Sequence, residues 1–405
     1  MASSIRMPQV TSPRAAAVRH GLFYALIYVG LGVIVPYVPV WFRSVGLTGP
    51  QIGVILAAPM IGRVLAGPLI AIWADGFRLR RTGILWISGL TAAAYLLLLS
   101  VHGFWAWALF WFAASTANNA IAPLADVQTL IEAREKGFAY TLSRGFGSAA
   151  YILANVAGGA VVAATAPVTA VVFAGLAAGV SALGALLLLP PTPVRDPAHP
   201  PADGPRSRWR DMIALLGRRS LMTCLISLSL IQGSHAFYYG FSALTWTAHG
   251  VPGRMVGLLW GTGVLAEVLF FWGGEGLRQR LGPARLVLIG AAGAVVRWTA
   301  LALSPPLWLL FPLQTLHALT FSATYLGGLA LVEEMSSPRE ASAAQTLSAS
   351  LSYGLFTGVA TIVSGWLYGQ FQGMGYLVMA LMAVVGAGLA LGLPRATSAQ
   401  KDAQG

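Results

Sequence analysis

The sequence predicts an all-α polytopic membrane protein, with twelve transmembrane helices in two pseudo-symmetric six-helix bundles. Three observations predict it. First, 57% of the 405 residues are hydrophobic and only 9% are charged, with a mean hydropathy of +0.72. Soluble domains carry about 25% charged residues. Second, the apolar residues form continuous runs of the length that a helix needs to cross a bilayer. A membrane barrel would instead alternate over strands of about ten residues. Third, Glu267, Arg297 and His317 lie deep inside three successive runs. A charge at that depth costs about 2.5–3.5 kcal/mol on insertion scales unless it is paired or faces water. Such residues mark a polar path through the protein.

The elements follow in order. Residues 1–19 are a basic, Ser/Pro-containing tail. The run after it has span length and no cleavage site, so it reads as a retained first span and not a removed signal. The first six spans are expected at 20–42, 50–74, 82–101, 104–129, 138–163 and 168–190, giving an N-terminal bundle over 20–190. Residues 191–220 form a linker, rich in proline from Pro190 to Pro205 and then in arginine (Arg206, Arg208, Arg210, Arg218, Arg219). Such a segment is solvated and mostly irregular. The second six are expected at 221–247, 254–274, 284–303, 307–332, 343–368 and 374–393, a C-terminal bundle over 221–393, followed by a tail at 394–405. Forty-seven glycines suit close helix approach in a membrane. The single cysteine, Cys224, excludes an intramolecular disulfide. Trp41, Trp105, Trp209 and Trp308, near span ends, read as interfacial anchors.

An even number of spans puts both termini on one side. With the termini inside, the inner segments hold nearly all the basic loop residues, and the outer loops hold only Arg43 and Arg254. This charge bias sets both termini in the cytoplasm, in the inner (plasma) membrane. It also accounts for the net charge of +12 without nucleic acid.

The halves resemble each other. Asp75-Gly76-Phe77-Arg78-Leu79-Arg80 follows span two, and Glu275-Gly276-Leu277-Arg278-Gln279-Arg280 follows span eight. Both loops read acidic-Gly-apolar-Arg-x-Arg at the equivalent place in each half, which marks a repeat. Asp75, Arg78, Arg80, Glu275, Arg278 and Arg280 are therefore expected to form a cytoplasmic gate, with solvated loops as the plainer reading. Gly53 precedes Arg63 by ten residues, and Gly257 precedes Glu267 by ten. Arg63 and Glu267 thus occupy pseudo-equivalent positions facing a shared interior.

The six-plus-six plan, the long inner linker and these acidic-Gly loops resemble the major facilitator superfamily. The loop signature is degraded: Ala71 stands for its first Gly, and Gly76 follows the acid in place of Arg. The segments LIQGSHAFYYGFSAL (230–244), VGLLWGTGVLAEV (256–268) and VVRW (295–298) resemble the phenylpropionate permease branch, which is related to oligosaccharide–proton symporters such as lactose permease. The resemblance implies alternating access and uptake of a small aromatic carboxylate such as 3-phenylpropionate with protons. In the lactose permease group, an acid on helix 4 and an Arg on helix 5 hold substrate. A Glu on helix 8, an Arg on helix 9 and a His on helix 10 link binding to the proton. Asp126, Arg144, Glu267, Arg297 and His317 lie on the matching helices. One departure stands out: the group's helix 10 acid, three residues after the His, is Thr320 here.

Each candidate has a plainer reading beside it. Glu267 and Arg297 could be a fixed ion pair between spans eight and nine. A Glu that alternates between a paired, ionised state and an unpaired, protonated one is a workable proton carrier. His317 is a relay or a satisfied buried histidine. Arg63 anchors a substrate carboxylate, for which a guanidinium fork is suited, or pairs with an acid such as Asp126. Asp126 with Arg144 binds substrate or caps two helices, and Asn119 adds polar character nearby. His235, Tyr238 and Tyr239 lie beside Gly233 and Gly240 on span seven, which suggests a broken helix lining an aromatic pocket, or ordinary aromatic core.

No P-loop, metal-ligand spacing or catalytic triad is evident, so the chain reads as a transporter and not an enzyme, with no cofactor or metal and with the proton as coupling ion. The expected partners are a small organic anion and the lipid bilayer, with no nucleic acid, and the chain is expected to be a monomer. A sugar or nucleoside symporter using Asp126 and Asn119 is the alternative. A membrane-embedded enzyme or a transport-dead sensor is more remote.

Overall fold

The computed structural model describes residues 12–194 and 212–393, apart from the side chains of Glu275 and Arg278. Residues 1–11, the C-terminal tail, Trp209 and the linker arginines Arg206, Arg208 and Arg210 lie outside the described residues, whereas residues 13–19, expected in the N-terminal tail, form the first turns of span one. Among the described residues, helix occupies each of the twelve expected positions, and nine helical stretches are long and apolar enough to cross a membrane. The last of them, Ala341–Leu391, holds two expected spans, divided by the 3-10 turn Gln372–Gly375, and Arg80–Leu97 and Phe104–Lys136 supply the other two. Helices dominate because hydrocarbon offers the backbone no hydrogen bonds, so each segment must satisfy its own.

Local chemistry sets the ends. Span one begins at Pro13, whose missing N–H costs nothing at a helix start, with Ser12 capping Ala15 N–H. Thr48 and Gln51 form a capping box at the start of span two. Span four stops at Gly137, which has φ +71, a left-handed conformation that glycine adopts without strain. Span seven is broken into Arg219–Gly233 and Ala236–Ala248, as its glycines lead one to expect. Spans ten and eleven each carry a π-helical segment, Ala318–Ala323 and Ser350–Phe356. Such widened turns are frequent at functional sites.

Spans one, three, four, five and six pack chiefly on one another, and spans seven, nine, ten and twelve pack chiefly within the second half. The halves meet along two seams, span two against span eleven and span five against span eight. Glycines allow the approach. A Cβ at Gly365 would stand 2.5 Å from Gly49 O and 2.8 Å from Gly53 Cα, and one at Gly257 would collide with the Asn155 carbonyl. Both seams lie toward the far end, away from the linker. The core shows the same asymmetry. One cluster joins Trp41, Phe42, Trp107 and Trp111 of the first half with Phe237, Phe241, Trp246 and Tyr368 of the second at the far end. At the linker end each half has its own separate cluster. The molecule is therefore sealed at the far end and parted at the linker end. Trp105 and Trp308 are exposed, as anchors should be, but Trp41 is 4% exposed and belongs to this seal.

The linker starts fixed. Arg80 donates to Val194 O at 3.0 Å, Arg80 N–H to Thr192 O at 2.9 Å, and Val194 N–H to Arg78 O at 3.2 Å. At the start of span seven, Arg218 meets Glu340 at 2.9 Å. The Ser337 hydroxyl and N–H, and then Arg218, hold the Glu340 carboxyl below its ordinary range.

Candidate functional site

Between the halves lies a cavity of about 520 Å³, within the range that holds small ligands. The first half contributes Tyr28, Met60, Arg144, Ser148 and Tyr151 to its lining, and the second contributes Tyr238, Tyr239, Trp260, Glu267, Phe271 and His317.

On the first-half wall, Asp126 Oδ1 accepts from Tyr24 OH at 2.5 Å and from Tyr140 OH at 2.9 Å. Arg144 Nε stands 3.8 Å from the same oxygen. Arg144 also donates to Tyr28 OH and stacks over the rings of Tyr24 (5.1 Å) and Tyr28 (4.9 Å). Tyrosine hydroxyls thus occupy the aspartate, while Arg144 lines the cavity and, among the described residues, has one of its five donors hydrogen-bonded, to Tyr28.

On the second-half wall, Glu267 Oε2 lies 3.4 Å from His317 Nε2. His317 Nδ1 is 2.9 Å from Arg297 NH1. A guanidinium only donates, so Nδ1 accepts, and the neutral ring carries its hydrogen on Nε2, facing the carboxylate. Arg297 is fully buried. It also donates to Gln314 Oε1 at 2.6 Å and Thr320 Oγ1 at 3.2 Å, and lies over the Tyr238 ring at 4.5 Å. The expected direct pair of Glu267 and Arg297 is therefore not formed; His317 stands between them. Thr320, at the position of the group's acid, joins Arg297 to His235 Nε2 at 3.1 Å.

The other candidates are placed as follows. Tyr238 and Tyr239 line the cavity, with Tyr238 stacked on Trp260 at 4.8 Å. His235 is buried behind that wall, bonded to Gln232 O at 3.0 Å and to Thr320, and is not among the lining residues. Arg63 is half-buried 6.0 Å from the Tyr353 ring, has no acid partner among the described residues, and is not in the lining either. Asn119 is exposed two turns before Asp126 on the same face of span four. Asp75, Arg78 and Arg280 are exposed, and Arg80 is tied to the linker. None of these four bridges the halves among the described residues. Glu275 and Arg278 have side chains outside the described residues.

Sequence reasoning did not find Tyr24, Tyr28, Tyr140, Gln314 or Trp260. Tyr24 and Tyr28 are spaced i, i+4 on span one, and Gln314 precedes His317 by three. Both spacings put polar tips on one helical face.

Residues 18–378 match the model of the MFS_1 like family, so the chain belongs to that family of major facilitator transporters. It is 31% identical over 371 residues to the "Probable 3-phenylpropionic acid transporter" of Escherichia coli (strain K12), covering 90% of this chain and 94% of that protein. It is 27% identical over 376 residues to "Maltose permease" of Geobacillus stearothermophilus, covering 90% and 91%. Among solved structures, the nucleoside transporter NupG superposes with a TM-score of 0.82 at 17% identity, over 93% of this chain and 98% of that one. A bacterial homolog to the human lysosomal transporter Spinster, inward-facing and unoccupied, gives 0.70 at 14%, over 93% and 96%. These two likenesses concern the fold. The chain is a multi-pass membrane transporter of the phenylpropionate permease-like branch.

Proposed function

We propose that the chain imports a small aromatic carboxylate, of which 3-phenylpropionate is the type, together with protons, by alternating access. One observation carries the reading: the cavity sets an arginine on one wall against an aromatic wall on the other. Arg144 receives the carboxylate, and Tyr238, Tyr239 and Trp260 receive the ring. Guanidinium–carboxylate bonds are strong and directional, and ring stacking adds about 0.5–1.5 kcal/mol beyond burial. The name of the Escherichia coli relative supports the same substrate class.

Glu267 carries the proton. Arg297 occupies His317 Nδ1, so a second proton on that ring would set two cations face to face. The carboxylate is the group left to load and unload, with His317 Nε2–H as its partner. Arg297 is the positioning cation. The basic linker end is cytoplasmic, so the cavity here opens inward. The loop group Asp75, Arg78, Arg80, Glu275, Arg278 and Arg280 meets across the halves when that end closes. Arg63 serves at the seam beside Tyr353.

The test is uptake by purified protein in proteoliposomes, with and without an inward proton gradient, offering 3-phenylpropionate, maltose and a nucleoside. Gradient-stimulated accumulation of 3-phenylpropionate alone is expected. Accumulation of the sugar or nucleoside without the acid overturns the substrate assignment and moves recognition to Asn119 and Asp126.

A further inference from the structure

We infer that His20, held between Glu132 and Thr129, is a second proton-binding site, in the first half and apart from Glu267. His20 is fully buried on span one, and Glu132 is 3% exposed on span four. The ring's Nε2 lies 3.2 Å from Glu132 Oε2, and its Nδ1 lies 2.9 Å from Thr129 Oγ1. Thr129 Oγ1 is also 2.8 Å from Ala125 O.

The threonine hydroxyl has one hydrogen and two acceptors to choose from. Pointed at Ala125 O, it leaves Oγ1 to accept from Nδ1–H. Nε2 still faces a carboxylate and needs a hydrogen of its own, so the ring is then an imidazolium. Pointed at Nδ1, the hydroxyl supplies that bond, and a neutral ring still donates Nε2–H to Glu132. The two arrangements differ by one proton and one hydroxyl rotation. Both keep each ring nitrogen bonded. A buried histidine with two satisfied states can exchange a proton without rebuilding its surroundings.

The charged surroundings agree. Arg19 NH2 lies 3.7 Å and Lys136 Nζ 3.3 Å from Glu132 Oε2, and both side chains are partly exposed at the linker end. Span five brings Tyr140 and Arg144, both turned to Asp126. Span six, also packed on span one, has no ionisable residue. Toward the cavity, Tyr24 OH stands 3.3 Å from Thr129 Oγ1 and 2.5 Å from Asp126 Oδ1. Polar groups therefore run without a gap from the linker end to the wall that carries Arg144.

The site adds a proton to the cycle proposed above and rests on that reading only for the direction of flow. Ring-nitrogen NMR of the intact transporter tests it, with His20→Gln identifying the resonance among the six histidines. The His20 ring is expected to convert between imidazolium and the neutral Nε2–H form as pH is varied across the range in which the transporter stays folded, and Glu132→Gln and Thr129→Val are each expected to move that conversion. A ring that keeps one form across this range overturns the proposal. In proteoliposomes, His20→Gln and Glu132→Gln should lower gradient-driven 3-phenylpropionate uptake about tenfold or more. Labelled-for-unlabelled exchange, which needs no net proton movement, should hold within about twofold on the same scale. Equal loss of both modes identifies a structural staple and also overturns it. If the wild type moves no 3-phenylpropionate with protons, the functional reading fails, and the NMR titration still decides the proton site.

Discussion

Glu267 is the residue on which the coupling reading turns. Glu267→Gln keeps the shape and removes the titrating group, so proton-driven accumulation should fall at least about tenfold while exchange persists. Unimpaired uphill uptake in this variant removes Glu267 from the mechanism. Arg144→Lys replaces a fork with a point charge. It should weaken a carboxylate about tenfold or more, the size of a lost charged hydrogen bond, and leave the corresponding amide nearly unaffected. Arg63→Lys, in contrast, should treat acid and amide alike, because Arg63 lies against Tyr353 outside the cavity lining. Competition binding with both ligands separates the two arginines. The sequence marked Glu267, Arg297 and His317 because charge stands out against an apolar run. It could not order them, since that depends on how three helices are rotated about their own axes. Helical period fixes rotation only within one span, so the Arg297–His317–Glu267 sequence of contacts became visible only in three dimensions.

At the scale of elements, the start of span two was legible because hydropathy and loop chemistry agree at Thr48-Gly49-Pro50. Span four, in contrast, expected to end at 129, continues to Lys136 because the helix outlasts its apolar run until Gly137 stops it. The break in span seven was also legible, from Gly233. The π-helical turns were not, because Ala318–Ala323 contains no residue that disrupts a helix and Ser350–Phe356 contains only Gly354, one of forty-seven glycines. Two facing stripes could have been read: His20, Tyr24 and Tyr28 at intervals of four on span one, and Asp126, Thr129 and Glu132 at intervals of three on span four. The glycine seams make the next prediction. Gly257 packs against the Asn155 carbonyl, so Gly257→Val overfills the seam between spans five and eight. Overpacking costs about 1–3 kcal/mol, enough to shift the balance about ten- to a hundredfold toward an opened far end. A cysteine at Ser148, which lines the cavity, placed in a Cys224→Ser background, should then react faster with a reagent applied from the far end. Unchanged reactivity means that this seam does not part during transport.

For the whole molecule, the positive-inside pattern predicts that the linker faces the cytoplasm. In a Cys224→Ser background, a cysteine at Ser207 should react only from inside and one at Thr165 only from outside. Reversed labelling inverts the transporter and turns its open side outward. The two-bundle plan was legible because composition, loop charge and the repeated acidic-Gly loops all bear on it. The conformation was not, because one sequence must support both an open and a closed linker end. Two protonatable groups in opposite halves carry an electrical consequence. If a monovalent anion travels with the Glu267 proton alone, no net charge crosses the bilayer, and the membrane voltage has no lever on accumulation. If the His20 proton travels too, each cycle carries one positive charge inward. An interior at −100 mV then contributes about 2.3 kcal/mol per cycle, roughly a fiftyfold steeper gradient. A potassium diffusion potential set by valinomycin should therefore drive uptake by the wild type, and His20→Gln should make the same carrier voltage-blind.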